Sequence, residues 1–310
     1  MKLLIDIFQE SDKRPSCISI GNFDGVHIGH QKILTTLNEY AKKDNLNKII
    51  ITFKPHPVIA VKPNKNFGLI VSDYADKLQY LKSFNPDILF LQDFTEKLKE
   101  LSPTEFLEIL INKFNMKYLI VGDDYNFGKN RAGGVDFLRS MESKYNFKLI
   151  IVPEVSVKNN GRVTSSYLRD LLKAGEIESV NRYLFTNFFL KGFVTTGKER
   201  GRTLGYPTAN FKPYTPHQII PKEGVYLTKL SLENKIYNSI TNIGKNPTFN
   251  EKDLTVETHI LDFNEMIYFK KIKIEFIKKL RDEIKFDSKE SLIKQLNKDK
   301  KIAVDYFNNL

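Results

Sequence analysis

The chain has 310 residues, of which 41% are apolar and 27% charged, a composition that excludes wholesale disorder and suits about two domains. The single cysteine, Cys17, excludes a disulfide framework and a multi-cysteine metal site. No apolar run approaches the roughly 20 residues of a membrane-spanning helix. Asp6 and Glu10 interrupt the first segment too early for a signal peptide. We therefore expect a cytoplasmic protein with no membrane partner.

The net charge is +11, from 48 basic and 37 acidic residues, and tryptophan is absent. Most of the basic residues are lysines, whereas sequence-specific nucleic-acid readers depend on arginine forks. A lysine-rich surface fits small anionic substrates at least as well, and a purely compositional origin of the bias is equally compatible with the sequence. We expect no nucleic-acid partner, and the sequence predicts no particular oligomeric state.

Short apolar runs alternate with helical patterns through the first 185 residues. The predicted strands are residues 17–20, 48–53, 88–91, 118–121 and 149–152, and the predicted helices are residues 30–42, 74–82, 104–114 and 135–145. The third helix is preceded by the capping signal SPTE at residues 102–105. This alternation predicts an α/β domain with a parallel sheet, whose ligand lies beyond the carboxyl ends of the strands.

The pattern changes after two short predicted helices, at residues 165–172 and 177–183. Strand-sized segments separated by Gly, Pro and Asn turns then follow, at residues 188–195, 224–232, 235–242, 255–261 and 272–277. Such spacing predicts a small β-barrel, followed by a final helix at about residues 289–308. We predict one domain over residues 1–185 and a second over residues 186–310.

The segment GNFDGVHIGH, residues 21–30, joins the first predicted strand to the first predicted helix. A parallel sheet presents backbone N–H groups and a positive helix end to an anion at such a place. Gly21, Gly25 and Gly29 allow a ligand to approach the backbone closely. His27 and His30 are three residues apart, so they share a helix face and can donate hydrogen bonds to phosphate. The alternative is a glycine-rich turn with incidental histidines.

Other polar clusters have both a binding interpretation and a local one. Asp124 and Asn126, after a strand, suit a sugar, a ribityl chain or a metal, but such residues also cap turns. Ser165, Ser166 and Arg169 at a helix start suit a triphosphate, although an ordinary N-cap explains the serines as well.

The segment at 21–30 resembles the HxGH signature of nucleotidyltransferases. With its flanks it is similar to the FMN adenylyltransferase module of bacterial bifunctional riboflavin kinase/FAD synthetases. Further blocks match in order: TFKPHP at 52–57, LSPTEFLE at 101–108, VGDDYNFGKNRAGG at 121–134 and VTSSYLRDLL at 163–172. The resemblance implies nucleotide binding by Gly21, Phe23, Asp24, Gly25, Gly29, Ser165, Ser166 and Arg169. It implies flavin binding by Pro55, Pro57, Asp124 and Asn126, and catalysis by His27 and His30.

Residues 192–210, GFVTTGKERGRTLGYPTAN, resemble the nucleotide-binding region of the riboflavin kinase module. Later blocks agree: EGVY at 223–226, TNIGKNPTF at 241–249, VETHILDF at 256–263 and residues 280–299. The resemblance implies nucleotide binding by Gly197, Lys198, Gly201 and Arg202, and flavin binding by Arg281. It implies a Mg²⁺ site at Thr208 and Asn210 in a PTAN turn, whose oxygens suit a hard cation. It also makes Glu257 the catalytic base, although a lone glutamate on a strand is usually a surface residue.

The two resemblances together imply a Rossmann-like nucleotidyltransferase domain followed by a small β-barrel riboflavin kinase domain with a terminal helix. The implied reactions convert riboflavin and ATP to FMN and ADP, and FMN and ATP to FAD and pyrophosphate. Alternatives are a nucleotidyltransferase with another acceptor and a catalytically silent flavin- or nucleotide-binding regulator. Lys54 and Asn246 depart from the usual family residues, which puts fine substrate affinity in doubt more than activity.

Overall fold

A computed structural model of the chain describes residues 1–63, 67–157, 161–197, 205–245 and 254–309. Two compact units divide it: Met1–Phe67 with Asp73–Ser165, and Gly68–Ser72 with Ser166–Leu310. The expected boundary between residues 185 and 186 stays a prediction about functional modules. Within the described ranges, no helix is both long and apolar enough to cross a membrane.

The first unit is built on a six-stranded parallel sheet. Its strands are β1 (Lys2–Leu4), β2 (Ser16–Ile20), β3 (Asn47–Lys54), β4 (Ile88–Asp93), β5 (Met116–Gly122) and β8 (Lys148–Val152). They lie in the order β1-β4-β3-β2-β5-β8. From β2 the chain adds β3 and β4 on one side, next to the edge strand β1, and then β5 and β8 on the other side. Open α/β sheets bind ligands beyond the carboxyl ends of the strands at such a reversal, so the loop after β2 occupies the favoured place.

Helices and two short ribbons complete the described part of this unit. The helices are α1 (Ile28–Lys43), α2 (Pro57–Val61), α3 (Tyr74–Lys82), α4 (Glu96–Lys99), α5 (Pro103–Phe114) and α6 (Val135–Tyr145). A further helix, α7 (Ser165–Ala174), begins at Ser165, the last residue of the first unit. The ribbons pair β6 (Asn126–Phe127) with β7 (Gly133–Gly134) and β9 (Ser156–Val157) with β10 (Gly161–Arg162).

Local signals explain why these elements form where they do. All five residues of β2 are buried, as expected for a central strand covered on both faces. The capping signal before α5 is confirmed. The Ser102 hydroxyl accepts from the Glu105 N–H at 3.2 Å, and the Glu105 carboxylate accepts from the Ser102 N–H at 2.8 Å. The short α2 is absent from the sequence prediction, because PHPVIAV lacks the length from which helical periodicity can be recognised.

The second unit contains a closed antiparallel barrel. Its strands are β11 (Phe189–Thr195), β12 (Ala209–Pro213), β13 (Gly224–Leu232), β14 (Lys235–Lys245), β15 (Leu254–Ile260) and β16 (Lys271–Arg281). Their order around the barrel is β11-β12-β15-β14-β13-β16. The unit also holds most of α7, the short α8 (Ile177–Asn181) and the terminal α9 (Lys289–Asn308). The predicted barrel and terminal helix are confirmed.

The barrel interior contains a chain of hydroxyl groups on residues that have no exposed surface. Thr228 Oγ1 lies 2.8 Å from Ser239 Oγ and 2.9 Å from Thr241 Oγ1, which lies 2.9 Å from Thr258 Oγ1. Each hydroxyl thus has a hydrogen-bond partner, as buried polar groups require. Large apolar side chains, among them Phe188, Tyr226 and Phe276, are also fully buried in this unit.

Two contacts of the second unit come from parts of the chain that the sequence analysis assigned to the first domain. Leu69 donates its N–H to the His217 carbonyl at 2.6 Å and accepts from the Ile219 N–H at 3.1 Å. Asn181, the last residue of α8, accepts from the Phe188 N–H at 2.8 Å and donates to the Phe276 carbonyl at 2.9 Å. The contacts of Leu69, and that between Asn181 and Phe276, join residues far apart in sequence and so leave no local signal.

Candidate active sites

A pair of histidines lies where the loop after β2 meets α1. His27 is the N-cap residue of α1, with extended backbone, and is 5% exposed. The rings of His27 and His30 are stacked, with centroids 3.7 Å apart and planes 23° from parallel. The expectation that the two side chains share a face is confirmed. Both rings thus lie at the positive end of a 16-residue helix, where an anion is stabilised.

The backbone of this loop requires its glycines. Gly25 has φ of 83°, and Phe23, which is not a glycine, has φ of 48° in the same left-handed region. A Cβ atom on Gly21 would lie 3.0 Å from the Phe23 ring, and one on Gly29 would lie 3.2 Å from the His27 ring. The small residues therefore let two aromatic rings pack directly against main chain, which fixes the shape of the loop.

The Ser/Thr-rich block at 163–172 contacts the same loop through Ser165, the first residue of α7. Ser165 Oγ donates to the carbonyl oxygen of Asp24 at 3.1 Å, and Asp24 is 2% exposed. Ser166 and Arg169 belong to the second compact unit. Arg169 is 8% exposed there, and its Nε donates to the Gly68 carbonyl at 2.7 Å. Phosphate binding by Ser166 and Arg169 stays a prediction.

The two blocks with an expected flavin role have local explanations as well. Pro55 is exposed, and Pro57 is the first residue of α2, where His56 Nδ1 accepts from the Val58 N–H at 3.2 Å. Asp124 and Asn126 are exposed after β5, and Asn126 Nδ2 donates to the Asp124 carbonyl at 2.7 Å. This last contact lies within two residues, so it is local and agrees with the alternative interpretation, in which these residues support a turn. Flavin binding at these residues stays a prediction.

Sequence reasoning missed Lys77, on α3. This lysine is 3% exposed, and its Nζ lies 3.1 Å from the Asn22 carbonyl oxygen, within the glycine-rich loop. Burial lowers its pKa to about 8, while the charge of Asp24 opposes that effect. A lysine on a surface helix normally points to water, so the sequence contains no signal that marks it.

In the barrel, three residues with expected roles lie together. Asn210 on β12 is the register partner of Glu257 on β15, and Thr208 Oγ1 donates to Glu257 Oε2 at 3.2 Å. All three side chains are partly buried. The expectation that PTAN is a turn is wrong for its end, because β12 begins at Ala209 and pairs with β11 and β15. Strand pairing therefore overrides the turn preference of asparagine.

Gly197 lies directly against this group. A Cβ atom there would come within 2.0 Å of Asn210 Nδ2, so only glycine leaves room for the amide. Lys198, Gly201 and Arg202 fall outside the residues that the structure describes, as does Asn246. Their roles stay predictions.

His259 is a second residue that sequence reasoning missed. It lies two positions after Glu257 on β15, and its Nδ1 is 2.9 Å from the carbonyl oxygen of Pro207, next to Thr208. The Tyr206 ring packs edge-on against it, with centroids 5.2 Å apart. Burial lowers the pKa of His259, and the Pro207 carbonyl partly offsets this. The neutral ring is thus favoured beside the candidate metal ligands.

Arg281, the expected flavin contact, is the last residue of β16 and pairs with Asp299 on α9. Its Nη2 lies 2.8 Å from Asp299 Oδ2 and its Nε lies 3.0 Å from the same oxygen. Gln295 also donates to Asp299, at 2.7 Å. The guanidinium is therefore held by the terminal helix, and flavin binding by Arg281 stays a prediction.

The donor groups near Glu257 fit a hard divalent cation. Thr208 offers a hydroxyl oxygen, Asn210 an amide oxygen and Glu257 a carboxylate, the oxygen types that Mg²⁺ takes. The described residues contain no cluster of three or more His, Cys, Asp or Glu suited to a metal. Mg²⁺ is usually held by few protein ligands and completed by water and phosphate.

Comparison with known proteins matches both halves of the chain. The FAD synthetase family model matches residues 9–167, and the riboflavin kinase model matches residues 184–307. A relative named bifunctional riboflavin kinase/FMN adenylyltransferase from Buchnera aphidicola (subsp. Schizaphis graminum) is 38% identical and covers 94% of each chain. A relative of the same name from Bacillus subtilis is 33% identical, and the match covers 97% of this chain and 95% of that one. Another from Escherichia coli K12 is 30% identical, and the match covers 99% of this chain and 98% of that one.

A solved structure from Streptococcus pneumoniae, described as a macrolide-efflux protein, has the same fold. It is 30% identical, with a TM-score of 0.86, and the match covers 97% of this chain and 98% of that one. Two family models in sequence, and relatives matched over nearly their whole length, lead to one conclusion: the chain belongs to the family of bifunctional riboflavin kinase/FMN adenylyltransferases.

Proposed function

We propose that the chain converts riboflavin and ATP to FMN and ADP in the module of residues 186–310, and FMN and ATP to FAD and pyrophosphate in the module of residues 1–185. The observation that carries the proposal is the presence of two separate polar constellations in one chain. One is the stacked His27–His30 pair at a helix N-terminus. The other is Asn210 and Glu257 on paired strands, with Thr208 just before β12.

In the kinase reaction, the Glu257 carboxylate accepts the proton of the terminal ribityl hydroxyl of riboflavin. The hydroxyl oxygen attacks the γ-phosphorus of ATP, and ADP leaves. The Thr208 hydroxyl, 3.2 Å from Oε2, orients the carboxylate. Thr208 and Asn210 would hold Mg²⁺, which neutralises developing charge on the phosphates when bound. The closed barrel fixes Asn210 and Glu257 on paired strands before substrate arrives, which lowers the entropic cost of the reaction.

In the adenylyl transfer, a phosphate oxygen of FMN attacks the α-phosphorus of ATP, and pyrophosphate leaves. His27 and His30 donate hydrogen bonds to the phosphate oxygens on which negative charge develops. The N-terminus of α1 adds its free N–H groups and positive dipole end. Gly21, Gly25 and Gly29 keep the loop backbone open to the triphosphate, and Ser165, Ser166 and Arg169 hold the departing phosphates.

The cofactor and location follow from this chemistry. Magnesium is proposed as the divalent ion because both reactions act on ATP and the Thr208–Asn210 oxygens suit it. The substrates are the small molecules riboflavin, FMN and ATP. We propose a cytoplasmic location, because both proposed reactions consume ATP.

The test is to incubate the pure protein with riboflavin, ATP and Mg²⁺ and to separate FMN and FAD by chromatography. We expect FMN first and then FAD, with both lost on chelation of the metal and restored by Mg²⁺. A parallel reaction that starts from FMN must give FAD and an equal amount of pyrophosphate. Transfer of AMP to phosphopantetheine or nicotinamide mononucleotide instead of FMN, or tight flavin binding without turnover, would contradict the proposal.

A further inference from the structure

Lys77 is a buried cation outside the residues with proposed catalytic or binding roles. It lies in the middle of α3 and is 3% exposed. Its Nζ is 3.1 Å from the Asn22 carbonyl, 3.4 Å from the Phe53 carbonyl and 3.5 Å from Thr52 Oγ1. An ammonium has three N–H donors and no acceptor, so these three oxygens account for all of its hydrogen-bonding capacity.

The oxygens belong to two adjacent strand ends. Asn22 lies two residues after the end of β2, in the loop that leads to the histidines, whereas Thr52 and Phe53 lie near the carboxyl end of β3. β2 and β3 are parallel neighbours, paired from Ser16 with Asn47 to Ile20 with Ile51. The lysine therefore connects the glycine-rich loop to the end of β3, which contains the first three residues of the TFKPHP block.

Thr52 reinforces the same point. Its Oγ1 lies 3.2 Å from the Asn22 carbonyl oxygen, which thus has two donors. The residue after Asn22 is Phe23, whose φ of 48° is unfavourable for a non-glycine residue. Such a conformation persists only where surrounding contacts determine it. Thr52 and Lys77 hold the carbonyl of Asn22, the residue immediately before Phe23.

Burying the charge is costly, which makes an incidental role a poor explanation. Burial opposes the charged form, and the nearby carboxylate of Asp24 favours it. The ring of Tyr74, three residues earlier on α3, lies 5.2 Å from Nζ and adds a weaker cation–π attraction. An apolar side chain would fill the same space without this cost, but it could not bind the two carbonyl oxygens.

We propose that Lys77 is a positioning residue for adenylyl transfer, which holds the Asn22 carbonyl and thereby sets the backbone that presents His27 and His30 to the phosphates. The inference rests on the proposed function of this loop. Lys77 acts through the loop rather than on the substrate, because its donors are directed at protein oxygens. The effect belongs to the geometry of the transition state and therefore to kcat more than to the KM for ATP.

The test compares Lys77→Met with Lys77→Arg in the full chain, using FMN, ATP and Mg²⁺. Lys77→Met keeps the length of the stem and removes every donor. We expect kcat for FAD formation to fall roughly 10- to 100-fold, with the KM for ATP changed less than about threefold, because a small misplacement of catalytic groups has an effect of that size. Lys77→Arg, which keeps the charge and the donors, should recover part of the loss. The matched control is Lys82→Met, an exposed lysine on the same helix, which should behave as the unchanged protein.

FMN formation from riboflavin by the same samples is the internal control and should stay unchanged. Hydrogen exchange gives a direct readout: backbone amides of residues 21–30 should exchange faster in Lys77→Met and not in Lys82→Met. If Lys77→Met does not fold, Thr52→Val takes its place, since it removes the second donor to Asn22, and a severalfold loss of FAD formation alone is expected.

Several results would overturn the inference. Unchanged kcat excludes a positioning role, a raised KM with normal kcat makes Lys77 a nucleotide ligand, and a loss that follows only the unfolded fraction makes it structural. A His27→Ala, His30→Ala double variant assayed in parallel separates this failure from that of the proposed function. If the double variant still forms FAD normally, the loop itself is not the site.

Discussion

In the α/β unit the two histidines follow a loop whose backbone includes a left-handed phenylalanine, whereas in the barrel Asn210 and Glu257 lie opposite each other on paired strands. The strand pair is held by main-chain hydrogen bonds on both sides. The loop has no such ladder, and its carbonyl groups are held by side chains that reach it from Thr52, Lys77 and Ser165. Groups on strands are thus placed by the sheet itself, and groups on loops need additional residues to fix them.

The largest effect should come from removing His27 and His30, for which we propose contacts to the phosphates. Changing His27 and His30 together to alanine should lower FAD formation about 10²–10⁴-fold, because each hydrogen bond to a charged group contributes about 1.5–3 kcal/mol. FMN formation should be spared. The measurement is the rate of each product from the same preparation. Equal loss of both products would show that the two sites do not act separately.

Replacing the proposed base tests the strand-held site in the same way. Glu257→Gln keeps an oxygen that can accept from Thr208 but cannot take up a proton. FMN formation should fall about 10²–10⁴-fold, the usual contribution of a general base, with flavin and ATP affinity little changed. FMN supplied from outside should still become FAD. A drop of only a few fold would mean that Glu257 orients substrate, and lost binding with a normal rate at saturation would make it a flavin ligand.

A smaller change tests whether the strand position of Asn210 is sufficient for its proposed role as a metal ligand. In Gly197→Ala the new methyl group would come within 2.0 Å of Asn210 Nδ2, so the amide must turn away. Loss of one hydrogen bond or ligand contact of about 1.5 kcal/mol should raise the Mg²⁺ or ATP concentration needed for half-maximal FMN formation roughly tenfold. The check is a Mg²⁺ titration of FMN formation. If the curve does not move, Asn210 is not a ligand of the metal.

The smallest effect concerns pH and the loop-side lysine. The pKa of Lys77 is about 8 in the folded protein and near its usual 10.5 in the unfolded chain. Between these values the unfolded chain binds more protons, so this group makes stability rise with pH, by up to about 1.4 kcal/mol per unit. The unfolding free energy of the unchanged protein, minus that of Lys77→Met, should therefore increase from about pH 8 to pH 10. Urea titrations measure it, and a flat difference would contradict the buried charge.

The sequence pattern predicted those features that depend on residues close together in the chain. Residue spacing brought His27 and His30 to one face, and the Ser102–Glu105 cap marked the start of α5, because both signals lie within a turn of helix. Thr208 and Glu257, whose roles came from family resemblance, do meet in the barrel. Lys77 could not be found in this way, since its burial arises only when α3 packs over the strand ends. The strand position of Asn210 likewise depends on partners far along the chain.

The β-bridge between Leu69 and Gln218 affects how the two proposed activities can be separated into fragments of the chain. The segment Gly68–Ser72 belongs to the second unit, although the residues on both sides of it belong to the first. The chain therefore passes between the two units three times. No single cut yields two fragments that each keep all their own contacts. A gene split at residue 186 would leave the main-chain groups of His217 and Ile219 to find water in place of Leu69, and Phe188 without Asn181. A barrel fragment that begins at residue 186 would therefore lack hydrogen bonds that the full chain supplies, so we expect it to be less stable than the same barrel in the full chain.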